Sequence, residues 1–161
     1  VNNKEILDIS FRNNGLSKEL SNLYPYIFYM DKIKFESFEG FIQSLRTNDI
    51  KQKQFLWNLS GFKAWKYGQQ FDWITTQKIY WLNKEIDRCS EEYTILIENA
   101  YNCLLKNEQF KNKLLESLPF ILDHTVGYSD KTKTLLTKKE YLDNLNRLRN
   151  KIKPPRFFNI F

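Results

Sequence analysis

The stretch 34–49, KFESFEGFIQSLRTND, carries the pattern from which the rest of the chain is read. Ser37 stands directly before an apolar-periodic run, where its hydroxyl can accept a free N–H of a first helical turn. Turning that helix by about 100° per residue puts Phe41, Ile42 and Leu45 within about 60° of Phe38 on one stripe. Glu39, Gln43 and Arg46 gather about 80–140° further round, on a second and polar stripe. The two stripes ask different questions. The first belongs to a core. The second is either an ordinary solvated helix face or the floor of a site.

The polar stripe has a chemical logic. Glu39 is an acceptor and a proton carrier, and the field of the first turn favours its ionised form. Only burial or a bound anion raises such a carboxyl into a working range. Gln43 offers an acceptor and two donors for orienting a base or ribose. Arg46 is suited to a phosphate. Gly40 weakens the helix by about 1 kcal/mol relative to alanine, and close approach of a ligand beside Glu39 is one reason for its presence. A first-turn Glu with a following Arg also suits an exposed face, so both readings stand on this pattern.

Outward from this helix, EILDI (5–9) is a candidate strand. YIFYM and IKF flank Asp31-Lys32 as a hairpin with unusual turn chemistry. KQKQFLWNL and GFKAWKYGQQ read as helices, punctuated by Gly61 and Gly68. DWITTQKIYWLNKEIDR (72–88) fits helix or strand. Ser90 caps a long helix in which Tyr93, Leu96, Ile97, Ala100 and Leu104 recur at helical spacing. NEQFKNKLLESL is a further helix, and FILDHTVGYSD is a short apolar run followed by a loop. Thr137 with Glu140 forms a capping box before TKKEYLDNLNRLRNKI, whose apolar stripe is Tyr141, Leu142, Leu145 and Leu148. Pro154-Pro155 stops that helix. The expected class is α+β: a mostly helical single domain over residues 1–150 with a small hairpin or sheet, then a basic, aromatic tail over 151–161.

Composition bounds the function. The chain has 161 residues, enough for one domain with its own core. Aromatics at 16% exclude wholesale disorder. Cys89 and Cys103 form no CxxC or Cys/His cluster, so no zinc site is expected, and reduced thiols fit better than a disulfide. No metal and no cofactor are expected. No glycine-rich phosphate loop is present, which argues against a nucleotide kinase or a Rossmann dehydrogenase. The N-terminus is not a signal peptide and no run is long enough to span a membrane, so a cytoplasmic protein without a membrane partner is expected. The net charge of +6 is uneven. Residues 131–161 hold nine Lys/Arg against two acids, while the preceding body is close to neutral. That segment suits nucleic acid, nucleotide phosphates or an acidic surface, or is a solvated helix face.

Read together, LSNLYPY and FESFEGFIQSLR resemble the NADAR family, also called YbiA-like. Its signature is an FSNF-like segment, a short hairpin and an S-x-E-H-Y-x-Q-A-x-K helix. Ser21 and Asn22 in LSNL match the first segment. Ser37, Glu39 and Gln43 match the Ser, Glu and Gln of the second, while Gly40 and Arg46 replace the family His and Lys. GFKAWKYGQ is similar to the family's K-x-A-x-x-x-G helix. LPFILDHTVGYSD is similar to its L-x-E-x-T…D segment, with Asp123, Thr125 and Asp130 as matches. The resemblance covers roughly residues 16–130. The family's Trp-Gly after that Asp is replaced here by SDKTKTLLTKKEY.

The resemblance implies an N-glycosidase acting on an ADP-ribosylated or ribosylated base, ADP-ribosyl-guanine among them, or on a related metabolite. The implied partner is an ADP-ribose-like or ribosylated small molecule, with ADP-ribosylated nucleic acid a further one. Glu39 then carries the acid/base or water-positioning role, and Asp130 is a second carboxylate or a ribose ligand. Asn22, Gln43, Arg46, Asp123, His124 and Tyr24 are the candidate substrate contacts. Each has a plainer alternative. Asp130 also reads as a turn residue, His124 as a satisfied structural histidine, Asn22 as an Asx turn, and Tyr24 as core. Two other functions remain open at this level. One is a binding protein for ADP-ribose or a nucleotide derivative, without turnover. The other is a nucleic-acid module led by the basic C-terminal segment.

Overall fold

A computed structural model describes residues 3–154. Strand β1 is Ile6–Asp8 and helix α1 is Gly15–Glu19. The hairpin β2, Phe28–Met30, and β3, Ile33–Phe35, follows. Asp31 and Lys32 both sit at positive φ, 49° and 65°, the backbone of a two-residue turn that usually favours Asn-Gly. Next come α2, Phe38–Ser44, α3, Ile50–Trp57, and α4, Gly61–Gly68. The ambiguous stretch 72–88 is a second hairpin, β4, Lys78–Trp81, with β5, Lys84–Asp87. Ile79, Trp81 and Ile86 are buried, and that period-two pattern decides for strand over helix.

The remaining elements are α5, Glu91–Leu104, α6, Glu108–Glu116, β6, Ile121–Asp123, and α7, Lys138–Ile152. The first and last strands join. β1 pairs in parallel with β6, register Leu7 to Leu122. All three ladders among the described residues have two strands. Helix starts follow the sequence: Ser37, Ser90 and Thr137 each accept a first-turn N–H, and Thr137 with Glu140 completes the capping box. Helix α7 runs through residue 150, the expected domain boundary, to Ile152. The expected tail lies outside the described residues from position 155 on.

Helix α2 is the hub, and every one of its seven residues is buried. Its apolar stripe meets the first hairpin and α5. Phe38 stacks on Tyr101 with centroids 4.0 Å apart, and Phe41 sits edge-on to Phe28, Phe35 and Trp81. Its end is tied to the second hairpin, because Tyr80 N–H donates to Leu45 O at 2.8 Å. Lys53 from α3 donates its buried ammonium to Ser44 O and Tyr80 O, at 2.9 and 2.5 Å, and so joins α2, α3 and β4.

Gly40 has a packing reason rather than a ligand one. A Cβ there would lie 2.6 Å from Leu56 O and 2.8 Å from Leu59 O, both backbone atoms at the end of α3. Ser37 reinforces the same contact by donating its hydroxyl to Leu59 O at 2.9 Å. The expectation that Gly40 makes room for a ligand is therefore corrected: the space goes to the neighbouring chain.

The basic C-terminal segment is partly consumed by structure. Arg149 is buried and donates to Ser117 O, Leu118 O and Phe120 O, closing the end of α6. Arg147 reaches Asn102 and Glu98 O on α5. Arg88, 1% exposed, forms a two-point pair with Glu140 at 2.7 and 3.1 Å and donates to Thr134 O.

Two measurements test this account. Gly40→Ala should destabilise the protein by about 1–3 kcal/mol in urea unfolding, because backbone must move to admit the methyl. Burial pushes the Lys53 ammonium down to about 8 from 10.5. For a base, that penalty holds below the folded value and is relieved as pH rises towards 10.5. Wild type should therefore gain stability relative to Lys53→Met between pH 8 and 9.5; a flat difference would contradict it.

Candidate functional site

The polar stripe of α2 is not solvated. Glu39 is 8% exposed and Gln43 4% exposed, and together with Arg46 they floor a cleft of about 340 Å³. Its walls are the 21–23 loop, α4, the loop of residues 124–137 and Tyr141 of α7. The size falls in the range of small-molecule sites.

Backbone contacts position Glu39. Ser37 Oγ accepts Gly40 N–H at 3.0 Å and sets the helix start. Glu39 N–H donates to Asn22 O at 2.9 Å, which joins the two segments matched separately in sequence. The Asn22 side chain is held in turn by the Tyr101 hydroxyl, which donates to Oδ1 at 3.0 Å. Asn22 lines the cleft, and its Nδ2 donates to no group among the described residues.

Side chains order the floor. Gln43 Nε2 donates to Glu39 Oε1 at 2.7 Å. Gly68 at the end of α4 makes this possible, since a Cβ there would meet Gln43 Cβ and Cδ at 2.7 Å. Arg46 Nη1 donates to Gly68 O at 2.9 Å. Its Nε and Gln43 Oε1 are buried without a partner. Burial pushes the Glu39 carboxyl above its ordinary range, against the opposing pull of the Gln43 amide and the Arg46 charge. The helix-start field alone favours the opposite shift. Desolvation wins because the carboxyl is buried at the base of the cleft.

His124 enters from the opposite wall. Its ring packs edge-on against Tyr141, centroids 4.9 Å apart, and Nδ1 lies 2.7 Å from Ile9 O. A carbonyl can only accept, so Nδ1 carries the proton. Gly127 is again required by contact: a Cβ would lie 2.6 Å from His124 Cδ2 and 2.9 Å from Lys138 Cβ.

The structure thus brings Asn22, Glu39, Gln43, Arg46 and His124 to one cleft. Three other candidates stand outside its lining. Asp130 is exposed, and its carboxylate closes a turn by accepting Thr132 N–H and Oγ1–H at 2.9 and 2.7 Å. Those bonds hold it below the usual carboxylate range. Asp123 pairs with Lys138 at 2.7 Å and accepts His124 N–H, which lowers it likewise. Tyr24 packs on Tyr26 at 4.8 Å, against the core. Asp130 and Tyr24 therefore correspond to their plainer sequence alternatives, a turn residue and a core aromatic.

The structure adds groups that the sequence did not single out. Trp65 of α4 is 48% exposed and Tyr128 71% exposed, both on the cleft wall, with Lys133 beside them. Among the described residues no group of three or more His, Cys, Asp or Glu could hold a metal, and no helix is long and apolar enough to cross a membrane.

Comparison with known proteins places this architecture. A family profile described as bacteriophage protein GP30.3 matches residues 15–150. A 17.1 kDa protein from the Gp30-rIII intergenic region of Enterobacteria phage T4 is 31% identical over 136 residues, which cover 83% of this chain and 90% of that relative. The NMR structure of the E. coli protein YbiA matches with a TM-score of 0.59 at 14% identity, covering 94% of this chain and 86% of that one. At that identity the likeness is one of fold. It is the mixed, mostly helical α+β fold with small sheets that the motif resemblance implies.

The raised Glu39 carboxyl has a sign that can be tested. Its ordinary value is 4.5. Its contribution to folding is full below that pH and is lost as pH rises through the folded value. Glu39→Gln should therefore gain stability relative to wild type as pH climbs from 4.5 to neutrality. Paired urea titrations check this; a constant difference would show that Glu39 ionises freely in the fold.

Proposed function

The chain belongs to the bacteriophage protein GP30.3 family, and we propose that it is an N-glycosidase hydrolysing an ADP-ribosylated or ribosylated base or a related metabolite. The observation that carries this reading is the buried Glu39 carboxyl, held by Gln43 and faced by Arg46 at the floor of the cleft. The YbiA fold supports it as a fold relationship.

The chemistry asks for three things. Cleavage of the C1′–N bond develops positive charge on the sugar, as in other glycoside hydrolyses. An ionised Glu39 stabilises that charge and takes the proton of the attacking water. Gln43 fixes the carboxyl rotamer, so the oxygen not bonded to Gln43 is presented to C1′ and water. Arg46 and Lys133 supply cationic groups for a diphosphate. The exposed faces of Trp65 and Tyr128 suit a stacked base. Asn22 Nδ2 can donate to a ribose or base oxygen.

The test is incubation with a panel of ribosylated and ADP-ribosylated compounds, free and in nucleic acid, followed for released base or released ADP-ribose. Glu39→Gln keeps an oxygen for the Gln43 hydrogen bond. It should lower kcat by about 10²–10⁴-fold with affinity nearly unchanged. Equal rates in both proteins would remove Glu39 from the reaction. Tight binding by wild type with no turnover would select the binding-protein reading instead.

A further inference from the structure

The N-glycosidase reading calls for help to the departing base, and Asp130, the second carboxylate expected from sequence, stands outside the cleft lining. We infer that His124 is the general acid that protonates the leaving base, through Nε2. The inference rests on the hydrolase reading above and adds to it a residue that acts on the leaving group.

The geometry selects one edge of the ring. Nδ1–H is committed to Ile9 O on the strand side, and Nε2 has no hydrogen-bond partner among the described residues. The ring lies between Tyr141 and Gly127, where a Cβ would come within 2.6 Å of its Cδ2. Tyr141 lines the cleft together with Glu39 and His124, and the His124 ring packs on it. Glu39 and His124 therefore approach one volume from two different elements, α2 and the end of β6.

The carboxylates nearest the ring are already engaged by other groups. Asp123 beside it is neutralised by Lys138. Asp8 on β1 is taken up by Thr125 N–H and Oγ1–H at 2.8 and 2.6 Å. The Tyr141 phenol donates to Leu20 O at 2.6 Å and is held neutral by burial. Across the cleft Glu39, Arg46 and Lys133 are the charged groups that share its lining with His124.

The step balances. The C1′–N bond breaks with its electron pair on the base nitrogen, and that nitrogen takes the Nε2 proton of the imidazolium. Water adds to C1′ and gives its proton to the Glu39 carboxylate. One proton passing from Glu39 back to His124 through solvent restores both groups.

Leaving-group chemistry separates this role from a structural one. A purine glycoside needs a proton to leave as a neutral base, whereas a pyridinium glycoside already leaves neutral. His124→Asn keeps an amide N–H near the Nδ1 position for Ile9 O but has no Nε2. It should lower kcat on a purine glycoside by about 100-fold, abolish the alkaline fall of that rate, and leave the pyridinium glycoside within about threefold. Equal losses on both substrates, or none on either, overturn the role of His124 while leaving the hydrolase reading intact. Turnover of the pyridinium substrate alone by wild type overturns it as well. Wild type inert on both substrates removes the hydrolase reading, and this inference with it.

Discussion

The structure depends on how closely α2 is enclosed. Gly40 lets the helix rest on the backbone carbonyls that end α3, Lys53 bonds its other end to β4, and aromatic rings from two hairpins and α5 cover its apolar stripe. A helix held this way has no solvated face left. Its polar side chains are then either satisfied by protein or turned towards a cavity, because an unpaired buried polar group is costly. Glu39, Gln43 and Arg46 follow both courses at once. They bond one another or Gly68 and form the cleft floor with what remains.

The opposite wall is held by a different set of bonds. Residues 124–137 have almost no regular structure, yet the loop is fastened at several points. Arg88 bonds Thr134 O and Glu140, Gln77 bonds Thr132 O, and the Tyr93 hydroxyl bonds Leu135 O. Donors from outside the loop thus fasten residues 132–135, and Tyr128 O accepts Lys138 N–H at 2.8 Å. In the basic C-terminal region Arg147 and Arg149 also bond inside the fold.

Much of the fold was readable from short-range patterns. The caps at Ser37, Ser90 and Thr137, the hairpin around Asp31-Lys32 and the strand at EILDI depend on neighbours a few residues away. The stretch 72–88 was ambiguous because its apolar positions suit two periods, and pairing of β4 with β5 settled it. Helical spacing over residues 38–46 separates the two stripes but does not reveal that Glu39 and Gln43 on the polar one are buried. Amphipathicity reports contrast between faces, and the accessibility of each face depends on what packs there.

The sequence by itself determined the elements, the polar trio on one helix face and the segments to which the fold resemblance attaches. Each of these rests on local propensity or on spacing within one element. Only the tertiary structure decided which residues share the cleft. It joined Asn22 to Glu39 through one backbone bond, brought His124 and Trp65 to the same walls, and turned Asp130 and Tyr24 away. It also gave Gly40 and Gly68 their reasons. Gly40 clears backbone and Gly68 clears a site side chain, and such steric demands arise from contacts between elements that no single stretch of sequence contains.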